Sequence, residues 1–303
     1  MPPFPTQDAA IDRQLWDVLA AHPARWQDAW GVRSQYHAPV IRFDRPSETL
    51  PVSLTGAMCA LQCAHCGGHY LRHMHPIWQV RGDGYSSLLI SGGCDTRGRV
   101  PVTTHLDLIA QLRSGRRMNW HVGFIEEEEM RAIVPWVDVV SFDIVGDQET
   151  AREVYGLDVT LDDYMRTFDM LRTFAPVVPH VTIGLRGGRL SGEYAAIEAL
   201  RARGIEVLIL IIFIPTEGTT YADCAPPTLS DVADVLLTAR MRLPKARLYL
   251  GCMRPYGAYR QAADQLAVLA GLNAIVNPSH AAEAVAQERG LRIVWGDECC
   301  ALN

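Results

Sequence analysis

The sequence predicts an α/β protein whose core is a (β/α)8 barrel of the TIM type. Two observations carry the prediction. From residue 51 onward, eight strand-like runs alternate with helix-like segments, which is the order expected for a parallel sheet with helical crossovers. These repeats occupy roughly 250 residues, the usual size of such a barrel. A doubly wound open sheet is the main alternative.

The elements follow one another regularly after an N-terminal segment. The predicted strands cover residues 52–56, 87–93, 119–124, 139–144, 180–185, 207–214, 247–253 and 273–278. The predicted helices cover residues 104–114, 126–134, 161–174, 192–203, 231–243, 259–270 and 281–289, and glycines stop several of them. Before the barrel, residues 11–30 predict one or two helices that Gly31 ends, and 40–43 a short strand. We therefore expect an N-terminal helical extension, 1–45, and a barrel with a short C-terminal tail, 46–303.

Composition and charge restrict the class of partner. The net charge is −6 and no run of Lys and Arg occurs, which argues against a nucleic-acid partner. The longest apolar run, 207–214, is too short to span a membrane. The first residues lack the basic and apolar regions of a signal peptide. We expect a cytoplasmic protein, in which eight cysteines favour metal binding over disulfides.

Three cysteines with the spacing C-x3-C-x2-C follow the first predicted strand. They are Cys59, Cys63 and Cys66. Three thiolates on one tight loop can bind three irons of a [4Fe–4S] cube and leave the fourth iron open. The alternative is a zinc site completed by His65 and His69, although structural zinc sites usually show two ligand pairs.

The spacing of this loop, and its place after a strand, resemble the radical S-adenosylmethionine (SAM) superfamily. In that family the open iron chelates the methionine end of SAM, and one-electron cleavage gives a 5′-deoxyadenosyl radical. The resemblance implies a [4Fe–4S] cluster, SAM and an electron donor. It also implies a barrel of the radical SAM kind with its chemistry at the carboxyl ends of the strands, where most of the informative residues fall.

The resemblance also suggests which residues contact SAM. Gly92-Gly93 stand where a GGE-like motif receives the amino group of SAM, with Cys94 in place of the usual acid. His65 stands where the family often has an aromatic residue near the adenine. We expect Asp143 to accept hydrogen bonds from the ribose and Arg152 to pair with the SAM carboxylate. The alternative for Gly92-Gly93 is a plain turn, and that for Asp143 is a capping or solvated acid. For Arg152 the alternative is an ordinary surface arginine.

Five cysteines lie outside the loop. Cys94 and Cys252 are predicted at the active end of the barrel, and Cys299 and Cys300 lie in the tail. Single cysteines are usually small core residues, but two adjacent thiols in a tail suit ligation. If the tail folds over the barrel mouth, it completes a second iron–sulfur cluster. Which four cysteines would hold that cluster is not fixed by the sequence.

Later segments resemble the biotin-synthase-like branch of the superfamily. They are 89–93, 181–185, 214–219, 250–255 and 271–279. The branch includes biotin synthase, the hydrogenase maturase, methylornithine synthase and the two-protein lipoyl synthases. Biotin synthase carries a cysteine on strand three, and residues 121–124 have none.

The extra cysteines favour a sulfurtransferase of the lipoyl synthase kind. We expect it to insert sulfur into an octanoyl chain on a carrier domain, together with a second radical SAM protein, in lipoate biosynthesis. One alternative is a biotin-synthase-like or radical rearrangement enzyme that acts on a small amino-acid-like substrate. Another is a non-catalytic iron–sulfur or zinc protein.

Overall fold

The structure, a computed structural model, describes residues 4–81 and 84–303 and confirms the predicted α/β class. Its strands form an eleven-stranded parallel sheet, and helices connect most of them. The strands are β1 (Val40–Asp44), β2 (Thr49–Ser53), β3 (His75–Pro76), β4 (Ser87–Ser91), β5 (Arg117–His121), β6 (Val139–Asp143), β7 (Val177–Ile183), β8 (Val207–Ile212), β9 (Arg247–Leu250), β10 (Ala274–Val276) and β11 (Arg292–Gly296). The helices are α1 (Ala9–Ala21), α2 (Pro23–Tyr36), α3 (Leu106–Arg113), α4 (Glu127–Ile133), α5 (Gln148–Tyr155), α6 (Leu161–Arg172), α7 (Glu193–Ala202), α8 (Leu229–Arg242), α9 (Gly257–Leu269) and α10 (His280–Glu288).

Each of the eight predicted barrel strands overlaps an observed strand. The short strand predicted at 40–43 is β1, whereas β3, β11 and helix α5 were not predicted. Within the two described ranges, no helix is both long and apolar enough to cross a membrane.

The chain divides into two compact units. The first comprises Met1–Arg45, Val181–Pro215 and Cys224–Gly296, and the second comprises Pro46–His180, Thr216–Asp223 and Asp297–Asn303. In the first unit the strands lie in the order β11-β1-β10-β9-β8. In the second unit the order is β3-β2-β4-β5-β6, followed by the first residues of β7.

The N-terminal helices belong to the first unit, and their boundary differs from the prediction. Helix α1 ends at Ala21 and α2 begins at Pro23, since proline suits a first helical position. The prediction that Gly31 ends the helix is wrong, because α2 continues to Tyr36. Gly31 is solvent-exposed, while Trp26, Ala29 and Arg33 bury the opposite face of α2. That burial outweighs a helix-propensity cost of about 1 kcal/mol.

Arg254 is a structural residue of the first unit. Its side chain is fully buried, and its Nε donates to Asp264 Oδ1 at 2.7 Å. Its other nitrogens donate to the carbonyl oxygens of Gly251 and Asn277. Because a buried guanidinium with these partners is fully engaged, the structural ion pair accounts for Arg254.

Candidate functional site

The three loop cysteines line one cavity that lies wholly within the second unit. The loop begins directly after β2, and Cys59, Cys63 and Cys66 border a cavity of about 240 Å³. Gly93 and Cys94, which follow β4, border the same cavity. β2 and β4 are hydrogen-bonded neighbours, so the first parts of the predicted site meet at the carboxyl ends of two adjacent strands.

The loop is held by its own backbone turns. The N–H groups of Cys66 and Gly67 donate to Cys63 O at 3.1 and 2.9 Å, and His69 N donates to Cys66 O at 2.7 Å. Gly68 adopts a left-handed conformation, with φ of 76°, which glycine adopts without steric cost. Its N–H donates to Cys66 Sγ at 3.3 Å. A thiolate at this position is therefore stabilised by a fixed backbone donor.

Gly93 packs directly against the cysteine loop. A Cβ atom at Gly93 would lie 1.9 Å from Met58 O and 2.6 Å from Cys59 Cα. Two hydrogen bonds fix this approach, from Cys94 N to Cys59 Sγ at 3.4 Å and from Ala60 N to Cys94 O at 2.8 Å. Glycine is the one residue type that permits such close backbone contact, so Gly93 sets the distance between β4 and the loop.

Thr55 connects the glycine turn to the loop, and this gives a first test. Its Oγ1 accepts from Gly93 N at 2.7 Å and donates to Met58 O at 2.8 Å. Thr55→Val keeps the shape but leaves the largely buried Gly93 N–H unsatisfied. We expect a loss of about 1–3 kcal/mol in the free energy of unfolding, measured by denaturant titration. Thr55→Ser restores the hydroxyl and should be close to wild type. Equal losses in both variants would contradict this role.

Burial keeps the thiols of Cys63, Cys66 and Cys94 protonated when no cation is present. Burial raises the pKa of Cys63 to about 12, and the neighbouring thiols add to this shift. Burial, together with the nearby Cys59 and Asp95, also raises the pKa of Cys94 to about 12. Burial also raises the pKa of Cys66. The ordinary thiol pKa is near 8.5. The cluster therefore provides donors that become thiolates when cationic iron binds, and this chemistry fits an iron–sulfur cube.

The zinc alternative has no geometry to support it. Across residues 4–81 and 84–303, no group of three or more His, Cys, Asp or Glu side chains converges on a point where one metal ion would be held. A cube needs no such convergence, because each thiolate binds a different iron.

His65 borders the same cavity and has an unpaired ring nitrogen. Its Nδ1 is buried and makes no hydrogen bond within the described part of the chain. The ring meets Tyr155 edge-on, with centroids 5.6 Å apart. Burial lowers the pKa of His65 to about 4, so the ring is neutral. An orphaned buried polar atom on a cavity wall indicates that a ligand completes the site, which fits the expected position of His65 beside a SAM adenine.

Two further histidines, which the sequence analysis did not select, join Asp143 in a polar layer. His121 ends β5 and Asp143 ends β6, and His180 pairs with Asp143 on β7. The His121 and His180 ring centroids are 5.4 Å apart, and His121 Nδ1 is 4.0 Å from Asp143 Oδ2. Below this layer, Ser141 Oγ donates to Asn119 Oδ1 at 2.9 Å. The layer lies at the carboxyl ends of the strands and is open to a ligand, because the side chains of His121 and Asp143 are 31% and 51% exposed.

Asp143 and Arg152 differ in their relation to the cavity. Asp143 borders it, as predicted for a ligand-contacting residue. Arg152 lies on the exposed side of α5, where its Nη2 donates to Asp158 Oδ1 at 2.5 Å. It is not among the residues that border the cavity. The surface alternative therefore accounts for Arg152 better than a contact with SAM.

The tail cysteines lie at the opposite end of the strands from the loop. Cys299 N donates to Thr49 Oγ1 at 2.7 Å, and Asn119 Nδ2 donates to Cys299 Sγ at 3.4 Å. Thr49 begins β2, whereas the cysteine loop follows its end, so the length of the strand, about 13 Å, intervenes. Cys300 is buried in the same tail. This placement corrects the expectation that the tail covers the carboxyl ends.

The remaining extra cysteines divide between the units. Cys94 belongs to the second unit and packs with the loop cysteines around Leu61 and Leu157. Cys252 is exposed and follows β9 in the first unit, which also contains the partly buried Cys224. In the second unit, Cys94 is thus the extra thiol that the fold brings to the loop.

Known proteins resemble this chain in structure but not in sequence. No family model matches the sequence, and no curated protein matches it either. The structure of methylornithine synthase (PylB) superposes over 92% of this chain and 93% of its own, with a TM-score of 0.62 and 12% identity. The chain shares the fold of that enzyme. HydG, a maturase of the [FeFe]-hydrogenase, superposes over 89% of this chain and 67% of its own, with a TM-score of 0.65 and 14% identity.

Proposed function

We propose that this protein is a radical SAM enzyme that acts on a small polar substrate. The observation that carries the proposal is the packing of Gly93 against the Cys59–Cys66 loop on one cavity wall. When bound, a [4Fe–4S] cluster with an open iron supplies the electron that cleaves SAM to a 5′-deoxyadenosyl radical. The fold shared with methylornithine synthase and the hydrogenase maturase supports this reading.

The residues of the chain itself have separate tasks in this proposal. Cys59, Cys63 and Cys66 hold the cluster, and the backbone at Gly92 and Gly93 leaves room for the amino group of SAM beside the loop. His65 supplies a neutral ring and an unpaired nitrogen for the adenine. Apolar and aromatic side chains on the same wall exclude water from a reactive radical; they are Leu61, Val122, Phe124, Phe142, Tyr155, Leu157 and Tyr164.

The polar layer favours a rearrangement of a small substrate over chemistry on a long acyl chain. An octanoyl group makes no hydrogen bonds along its length, so it gains nothing from His121 and Asp143. A small molecule with polar groups pairs with both residues. The product of the structurally similar methylornithine synthase belongs to this general class, as its name indicates.

Sulfur insertion into an octanoyl chain, as in a lipoyl synthase component, is the second candidate. The observation that favours it is Cys94, an additional thiol on the wall of the cavity. That activity requires an auxiliary cluster as sulfur donor, an octanoylated carrier domain and a second radical SAM protein. Cys299 and Cys300 lie at the amino ends of the strands, so Cys94 would need other partners to hold such a cluster.

Anaerobic reconstitution with iron, sulfide and a reductant tests these readings. We expect about four irons per chain and 5′-deoxyadenosine formation from SAM. About eight irons per chain with the same product would support sulfur insertion instead. A loaded cluster that gives no 5′-deoxyadenosine with SAM and dithionite would point to a non-catalytic iron–sulfur protein and refute the proposal.

A further inference from the structure

The layer formed by His121, Asp143 and His180 has the chemistry of a binding site for a cation. Asp143 is the one carboxylate among the described residues that border the cavity, and no Arg or Lys borders it. A cluster held by three thiolates adds further negative charge to the same wall. A carboxylate or phosphate group placed beside Asp143 would therefore meet repulsion without a compensating cation, whereas a positively charged group would be attracted.

The hydrogen bond of His180 shows which of its two ring nitrogens carries the proton. Its Nδ1 lies 3.1 Å from Val178 O, and a carbonyl oxygen only accepts, so Nδ1 carries the proton. Nε2 is then an acceptor. Burial lowers the pKa of His180 to about 4 and also lowers that of His121. Both rings are therefore neutral, and each keeps one acceptor nitrogen.

The separation of His121 and Asp143 suits one shared donor. His121 Nδ1 and Asp143 Oδ2 are 4.0 Å apart, which is too long for a hydrogen bond between them. A single nitrogen can lie about 2.8 Å from both atoms at once, which is the length of a normal hydrogen bond to each. An ammonium group has three N–H donors on one nitrogen, so it can serve both atoms at once. A hydroxyl carries no charge and has a single proton to donate, so it lacks the attraction that an ammonium group has for the carboxylate.

We infer that Asp143 and His121 bind the ammonium group of a small primary-amine substrate, with His180 as a positioning residue behind them. The inference rests on the proposed function and names its substrate class. SAM also carries an ammonium group, but its methionine end must reach an iron beside the loop after β2. The proposed function seats that ammonium group at the backbone of Gly92 and Gly93, which follow β4, whereas Asp143 ends β6. The amine bound there therefore belongs to a second molecule.

The test uses the reconstituted full chain with SAM present. Proteinogenic amino acids, each paired with its 2-hydroxy acid, are titrated by calorimetry. We expect at least one amino acid to bind, and its hydroxy partner to bind about 10- to 100-fold more weakly, as for loss of a charge-assisted hydrogen bond. Asp143→Asn should reduce the affinity for that amine by a similar factor and leave the affinity for the hydroxy acid within about twofold. His121→Phe, which keeps a ring but no acceptor, should weaken amine binding as well.

Matched measurements separate the outcomes. Asp162→Asn, in the exposed first turn of α6, should bind amine and SAM as the wild type does. The inference fails if no amine binds, if hydroxy acids bind equally well, or if Asp143→Asn weakens SAM instead of the amine. Formation of 5′-deoxyadenosine from SAM and dithionite without any amine is recorded for each variant. If that product forms while amine binding fails, the proposed function stands and only the substrate class is refuted.

Discussion

Replacing Cys59, Cys63 and Cys66 together by alanine is expected to abolish both cluster incorporation and SAM cleavage. The three thiols border one cavity and are the only thiols of the loop. Because a cube needs a protein ligand on each of three irons to leave the fourth open, nothing in the loop can replace them. Iron content after reconstitution, the visible absorption of the cluster and 5′-deoxyadenosine yield should all fall to background.

Cys224→Ala is the matched control for this experiment. Cys224 is partly buried and belongs to the first unit, outside the candidate site. It should retain about four irons per chain and wild-type SAM cleavage. The reading of the loop as the cluster site would be refuted by a triple variant that still cleaves SAM. If only the Cys224 variant lost SAM cleavage, the reaction would depend on Cys224 and not on the loop cysteines.

Gly93→Ala is expected to be strongly destabilising and to disrupt the cluster site. Its new Cβ would lie 1.9 Å from Met58 O and 2.6 Å from Cys59 Cα. Both are backbone atoms and cannot rotate away, so the loop itself must move. We expect a loss of about 3 kcal/mol or more in the free energy of unfolding, and little or no cluster incorporation. Denaturant titration and iron content measure the two effects.

Gly92→Ala provides the comparison at the neighbouring position. Its Cβ would meet Thr55 Cγ2 and Oγ1 at 3.3 Å, a contact that small shifts relieve. We expect a loss of about 1 kcal/mol or less, with the cluster retained. If the two alanine variants behaved alike, the close approach of Gly93 to the loop would not be what organises the site.

The parts of the site that are continuous in the chain could be predicted from the sequence. The cysteine spacing is a local pattern, and the strand before it shows alternating apolar and polar residues, so the loop was correctly placed at a strand end. Gly92 and Gly93 follow the next barrel strand directly. Adjacent parallel strands present their carboxyl ends together, which was enough to bring these segments to one place before any coordinates were known.

The polar layer could not be predicted as a group because its members are far apart in sequence, although Asp143 by itself was predicted to contact a ligand. His121, Asp143 and His180 meet only through the register of β5, β6 and β7, in which Asp143 pairs with His180. Register depends on the packing of whole strands, and a shift of one residue would turn each side chain to the other face. The available signal was the inward alternation of Asn119 with His121 and of Ser141 with Asp143.

The tail was misplaced for a similar reason. Strand β11 was not predicted, so the direction in which the chain enters residues 297–303 was unknown. The structure pairs β11 with β1 in parallel. Arg117, the first residue of β5, donates to Leu302 O at 2.5 Å, which anchors the tail at the amino ends of the strands. Two adjacent cysteines carry no information about which end of a strand they reach.

The position of this tail has a consequence for the order in which the molecule forms. The contact between Cys299 and Thr49 joins positions 250 residues apart, and that between Arg117 and Leu302 joins positions 185 apart. At a synthesis rate of about 5–20 residues per second, the cysteine loop leaves the ribosome roughly 10–50 s before residues 297–303 exist. The unit that carries the loop thus remains open at its amino ends throughout that interval. Its three thiols must stay reduced while the unit is incomplete.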